Sequence, residues 1–111
     1  MNAENTQAQM RKGVLEFCIL SILNQGEKYP TEILEKMKDA KLLVVEGTLY
    51  PLLTRLKNDG HLTYRWVEST SGPPRKYFTL TDSGRELLMQ LDGGWNELVD
   101  AVNRITKNKS S

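Results

Sequence analysis

The apolar positions of this chain fall into four stretches at helical spacing and one pair of short stretches with strand-type composition. From Met10 to Leu23, the residues Val14, Leu15, Phe17, Cys18, Ile19, Leu20, Ile22 and Leu23 leave almost no polar face, which predicts a helix buried on several sides. Gln25-Gly26 follows, with a glycine where a left-handed cap would sit. Tyr29-Pro30-Thr31 opens a second, shorter helix across residues 31–39, with Tyr29 or Thr31 near its cap and Ile33, Leu34 and Met37 facing inward. The turn from Ala40 to Val45 is apolar for a loop. It leads into Glu46 to Asn58, where Leu49, Leu52, Leu53 and Leu56 stand at i, i+3, i+4 and i+7 and form a single apolar stripe. Pro51 is tolerated only near a helix start, which sets that start near Glu46 to Thr48, and Asp59-Gly60 ends the helix.

Leu62 to Glu68 then reads as a strand, Ser69 to Pro74 as a loop, and Arg75 to Leu80 as a returning strand with two cations near the tip. Thr81-Asp82-Ser83 supplies an N-cap and a first-turn carboxylate to a last helix from about 82 to 106. Along it Leu88, Leu91, Trp95, Leu98, Val102 and Ile105 step by 3, 4, 3, 4 and 3, a seam that packs helix on helix. Each buried side chain of the seam contributes roughly 1.5–3 kcal/mol, whereas Gly93 and Gly94 cost about 1 kcal/mol each relative to alanine. The seam outweighs the glycines. Either close approach of a partner helix or space beside Trp95 accounts for them.

The elements compose a mainly α fold with a small β-hairpin: a helix-turn-helix followed by a wing, then a long helix. We expect a single domain over residues 1–111, with a winged helix-turn-helix at 10–80 and a C-terminal dimerisation helix at 81–106. A chain with 39% hydrophobic and 26% charged residues is ordinary for a soluble globular protein, and a formal net charge of +1 decides nothing. Its distribution says more, because residues 46–80 hold five cations against three anions and are the only net-positive segment. Cys18 is the sole cysteine, so there is no disulfide framework and no cysteine metal cluster. The run Val14 to Leu23 is too short to span a bilayer and carries Glu16, so a cytoplasmic protein is expected, with no membrane partner. His61 is the only histidine and Cys18 has no basic neighbour in sequence. No enzymatic activity, metal or cofactor is therefore expected.

The polar face of the leucine-striped helix carries Gly47, Tyr50, Pro51, Thr54 and Asn58, flanked by Thr48, Arg55 and Lys57, with no carboxylate after Glu46. DNA suits that chemistry. Thr48, Tyr50, Pro51 and Thr54 are expected at base edges and backbone, and Arg55, Lys57, Arg75 and Lys76 at phosphates. Tyr50 lies between core and solvent and can alternatively buttress the second helix. Surplus apolar surface on the first and last helices predicts a homodimer through Val14, Phe17, Cys18, Leu88, Leu91, Trp95, Leu98, Val102 and Ile105, which suits a palindromic operator. Trp95 follows two glycines. It either lines a pocket for a small flat aromatic effector, walled by Leu91, Leu98 and Val99 with Val14 as floor, or plugs the interface as core. The competing readings are a winged-helix module that binds protein through the same surfaces, and a dimeric ligand binder without a DNA role.

Gly47-Thr48-Leu49-Tyr50-Pro51-Leu52-Leu53-Thr54-Arg55-Leu56, with Asp59-Gly60 behind it, resembles the signature of the PadR-like transcriptional regulators. Gly72 to Thr81, followed by Gly84-Arg85, is similar to that family's wing and linker. The resemblance covers residues 10 to about 106. It implies a winged helix-turn-helix dimerised through its first and last helices, acting on bacterial promoters, usually as a repressor released by a small molecule. The single C-terminal helix resembles the short subgroup, some of whose members bind flat aromatic compounds between subunits. The chain departs from the pattern at Tyr29-Pro30, where members more often carry Tyr-Gly.

Overall fold

A computed structural model describes residues 13–107. The elements in order are α1 (Leu15–Leu23), α2 (Pro30–Asp39), α3 (Glu46–Asn58), β1 (Leu62–Val67), β2 (Arg75–Leu80) and α4 (Asp82–Thr106). Residues 10–12 of the expected first helix lie outside the described residues; within them, Gly13 and Val14 form a turn and the helix starts at Leu15. Strand β1 ends at Val67, one residue short of expectation.

The core sits where α1, α2, α3 and the hairpin converge. Ile19, Leu20 and Leu23 come from α1, Ile33 and Met37 from α2, Leu49, Leu53 and Leu56 from α3, and Leu62, Phe78 and Leu80 from the strands. Three leucines of the α3 stripe are buried rather than four. Leu52 is half-buried, because at about 100° per residue it falls on the flank of the arc that its three neighbours share.

Helix starts are set by local chemistry. Tyr29 is the N-cap of α2, and its backbone N–H donates to the Glu32 carboxylate at 3.1 Å. Pro30 occupies the first helical position, where its fixed φ fits and its missing N–H costs nothing, so the departure from Tyr-Gly leaves the helix intact. Pro51 stands in the second turn of α3, deeper than the first turn that the sequence favours. The carbonyl it leaves unpaired is that of Gly47, at an exposed position with open space around it.

Strands β1 and β2 pair antiparallel with Leu62 opposite Leu80, Tyr64 opposite Phe78 and Trp66 opposite Lys76. That face runs from the core outward to the tip. The chain before α2 touches the hairpin through a single antiparallel bridge, in which Lys28 and Phe78 exchange backbone hydrogen bonds at 3.2 and 2.9 Å.

Helix α4 leaves from a built corner. The Thr81 hydroxyl accepts from the Gly84 N–H at 3.1 Å and donates to the Gly60 carbonyl at 2.6 Å, while His61 Nδ1 meets the Ser83 hydroxyl at 2.8 Å. Gly84 packs so tightly on the His61 backbone that a Cβ there would stand 2.1 Å from the carbonyl oxygen. Beyond the corner, the α4 seam divides. Leu88 and Leu91 pack against the chain's own core, and Trp95 leans on Phe17 of α1 with ring centroids 6.4 Å apart. Leu98, Val102 and Ile105 are 56%, 45% and 80% exposed. The surplus apolar surface expected on α1 is thus largely covered within the chain by α4, and the uncovered stripe belongs to the distal half of α4. None of the described helices is long and apolar enough to cross a membrane.

Candidate nucleic-acid interface

Alternation along β1 and β2 carries one side of the hairpin from the buried pair Leu62 and Leu80, through Tyr64 and Phe78, to Trp66 and Lys76 at the outer end. That side faces the outer surface of α3 across a cleft of about 450 Å³. The start of α2 contributes Tyr29, Pro30 and Thr31, the middle of α3 contributes Tyr50, Leu53 and Thr54, and the hairpin contributes Trp66, Pro74, Arg75, Lys76 and Phe78. The floor is apolar, with Leu53 and Phe78 buried; the walls are aromatic; two cations and two threonine hydroxyls stand at the margin. Among the described residues, no carboxylate lines the cleft.

Aromatic rings hold the cations at this margin. The Arg75 guanidinium lies 4.4 Å from the Tyr29 ring centroid, and Lys76 Nζ lies 4.4 Å from Tyr64 and 5.2 Å from Trp66. Among the described residues no carboxylate pairs with either cation, so each is available to an incoming anion. The hairpin is fastened to the chain before α2 on its other side. Tyr29 meets Tyr77 edge-on at 5.3 Å, and Arg65 donates twice to Glu27, at 2.9 and 2.5 Å. The Arg65 hydrogen bonds hold the Glu27 carboxyl below its ordinary value, and Glu27 in turn raises Arg65.

The residues singled out from the sequence do not all converge. Tyr50, Thr54, Arg75 and Lys76 share the cleft, and Thr48 and Pro51 are exposed on α3. Tyr50 is 47% exposed and faces the cleft. Arg55 turns the other way, forming an ion pair with Glu16 of α1, and Lys57 points at the Tyr64 ring at 5.8 Å. Sequence reading missed Trp66, Tyr29 and Thr31 as cleft residues. Trp66 carried a usable signal, being in step with Leu62 and Tyr64 yet one period farther from the core.

The candidate effector and dimer residues lie at the opposite end. Trp95 is 41% exposed, Leu98 more so, Leu91 packs on the core, and Val14 and Val99 are half-buried. Cys18 is also half-buried, and burial pushes its thiol up. A Cβ at Gly93 or Gly94 would meet nothing within 4 Å. Among the described residues, then, no packed neighbour requires either glycine, and both stand beside open space.

Residues 19–90 match the family model described as transcriptional regulator PadR-like family. The chain is similar to a PadR-like transcription factor from Bacteroides fragilis of known structure, at 56% identity and a TM-score of 0.77, covering 92% of this chain and 99% of that one. It is 33% identical over 82 residues to the negative transcriptional regulator PadR of Bacillus subtilis, covering 68% of this chain and 43% of that protein. The structure of Bacillus subtilis PadR in complex with operator DNA matches at 30% identity with a TM-score of 0.65, over 70% of this chain and 46% of that one. The chain spans less than half the length of that Bacillus regulator.

Proposed function

The chain belongs to the PadR-like family of transcriptional regulators, and from that premise we propose that it is a homodimeric repressor of a palindromic operator, released by a small flat aromatic effector. One observation carries the DNA half of the reading. Hydroxyls, aromatic rings and cations from α3 and the hairpin meet in one cleft without a carboxylate. The operator-bound relative, built on the same fold, adds support. In this reading Thr48, Tyr50, Pro51 and Thr54 approach base edges and backbone in the major groove, and Arg75 and Lys76 reach phosphates from the wing. Lys57 reaches a phosphate beside Tyr64, and Arg55 does so by exchanging Glu16 for DNA.

The homodimer rests on the exposed stripe of Leu98, Val102 and Ile105 and on the two glycines that no intrachain contact requires. A second α4 crossing at Gly93-Gly94 would cover both. In such a dimer Val14, Phe17, Cys18, Leu88 and Leu91 back the interface from within each subunit, and a flat effector would sit between two Trp95 indoles, against Leu98 and Val99. A protein that binds an operator in this way would act in the cytoplasm.

Selection of bound duplexes from a randomised pool tests the reading. A dimer should enrich a two-fold symmetric sequence with half-sites about 34–36 Å apart, or a multiple of that. A pool with no sequence enriched would contradict operator recognition and leave the protein-binding module as the better account.

A further inference from the structure

We propose that the cleft between α3 and the hairpin seats one sugar-phosphate strand of the duplex, and that Trp66 is a DNA-contacting residue whose indole packs on the deoxyribose. The inference rests on the DNA-binding reading above. It adds a residue and an occupant that the recognition helix and the wing cations alone do not require.

The Trp66 indole meets Tyr64 edge-on, with ring centroids 6.1 Å apart, and Lys76, and it is not part of the buried core. Leu62 and Leu80 anchor the hairpin at the core end, whereas Trp66 lies at the outer end of the same face and is 61% exposed. Leaving that much apolar surface in water forgoes the gain of burial, so a partner that covers it is favoured. The surroundings specify the partner. Buried Leu53 and Phe78, the cations Lys76 and Arg75 and the Thr54 hydroxyl line the same cleft as the indole. An occupant must therefore present an apolar surface next to a negative charge and must not depend on carboxylate partners. Deoxyribose joined to phosphate does so, with carbon-bound hydrogens for the ring and oxygens for the cations.

Duplex geometry leads to the same place. An element in the major groove and a wing reaching the neighbouring minor groove have one backbone strand between them, because that strand is the wall separating the grooves. The cleft lies between those two elements. Lys76 stands 5.2 Å from the Trp66 ring, so the ring that meets the sugar also positions the ammonium that meets its phosphate.

The 111-residue protein labelled with 5-fluorotryptophan tests this. The chain has two tryptophans, and Trp66→Phe assigns their resonances. On titration with a mixed-sequence duplex at low salt, the Trp66 resonance should shift in parallel with binding, since a sugar contact is independent of sequence. Trp66→Ala should bind that duplex roughly ten-fold more weakly with an unchanged salt slope, because it removes contact area and no charge. Trp66→Phe should restore most of the affinity. If the wild-type protein binds the duplex while the Trp66 resonance stays still, or Trp66→Ala binds equally well, the cleft is not the strand seat and DNA binding stands without it. If poly-glutamate moves the Trp66 resonance at lower concentration than the duplex, the occupant is an acidic protein segment and the assignment fails. If the wild-type protein binds no duplex, both readings fall together. The resonance is read on the wild-type protein, so a folding defect in Trp66→Ala does not blunt the test.

Discussion

A methyl group at Gly84 would stand 2.1 Å from the His61 carbonyl oxygen, where backbone meets backbone and no side chain can swing aside. Gly84→Ala should therefore lower unfolding free energy by about 1–3 kcal/mol, measured by urea denaturation, as overpacking does elsewhere. An unchanged midpoint would mean that the α4 corner is looser than described. The contact joins residues 23 positions apart in sequence, so nothing local announced it. Glu27 illustrates a second blind spot. Its partner Arg65 lies on β1, 38 positions away, and the Lys28 bridge to Phe78 fastens the neighbouring chain to the hairpin. The Glu27 carboxyl is held below its ordinary value of 4.5, so the pair stabilises the fold above that value and its contribution disappears as pH falls through the lowered one. Glu27→Gln should therefore reduce stability slightly at pH 7 and leave it unchanged at pH 2, in parallel melts; an equal offset at both pH values would exclude the ion pair as the cause.

Among the elements, α4 would carry the boundary between subunits in the proposed homodimer, with Gly93 and Gly94 at the crossing. Alanine at either site meets no packed neighbour among the described residues and gains about 1 kcal/mol of helix propensity. If two copies of α4 cross there, the same substitutions push the helices apart. Gly93→Ala and Gly94→Ala should then weaken the dimer in sedimentation equilibrium while raising the helical propensity of α4. A dimer of undiminished strength would place the interface elsewhere. The helices and strands themselves were legible because their signals are local. Asp59-Gly60 terminates α3, Thr81 caps α4, and two strand runs flank Gly72-Pro73-Pro74. What stayed hidden was which elements share a face. The seam on α4 reads as uniform in sequence, yet Leu88 and Leu91 are spent on the chain's own core, Trp95 leans on Phe17 while staying 41% exposed, and Leu98, Val102 and Ile105 are left uncovered. The cleft was half legible for the same reason. The cations at Arg75 and Lys76 stand out by charge, whereas Trp66 becomes a surface residue only once register aligns it with Lys76.

Across the whole molecule, α1 connects the two proposed sites. Phe17 touches Trp95, and the preceding residue, Glu16, forms an ion pair with Arg55 on α3. An effector that displaces Phe17 from Trp95 would thus move the helix that holds the end of α3, giving the two states different affinities for DNA. Titration with planar aromatic compounds should quench tryptophan emission in the wild-type protein and lower operator affinity, with both effects absent in Trp95→Ala. Quenching that persists in Trp95→Ala would move the effector site away from the indole. A joint grip of α3 and the wing on DNA phosphates has one immediate signature, the salt dependence of affinity for the selected operator. For the wild-type protein, log affinity should fall linearly with log salt. Arg75→Ala and Lys76→Ala should each flatten the slope by about one, because each removes one cation that neutralises a phosphate. An affinity indifferent to salt, or slopes identical in wild type and both variants, would rule that grip out.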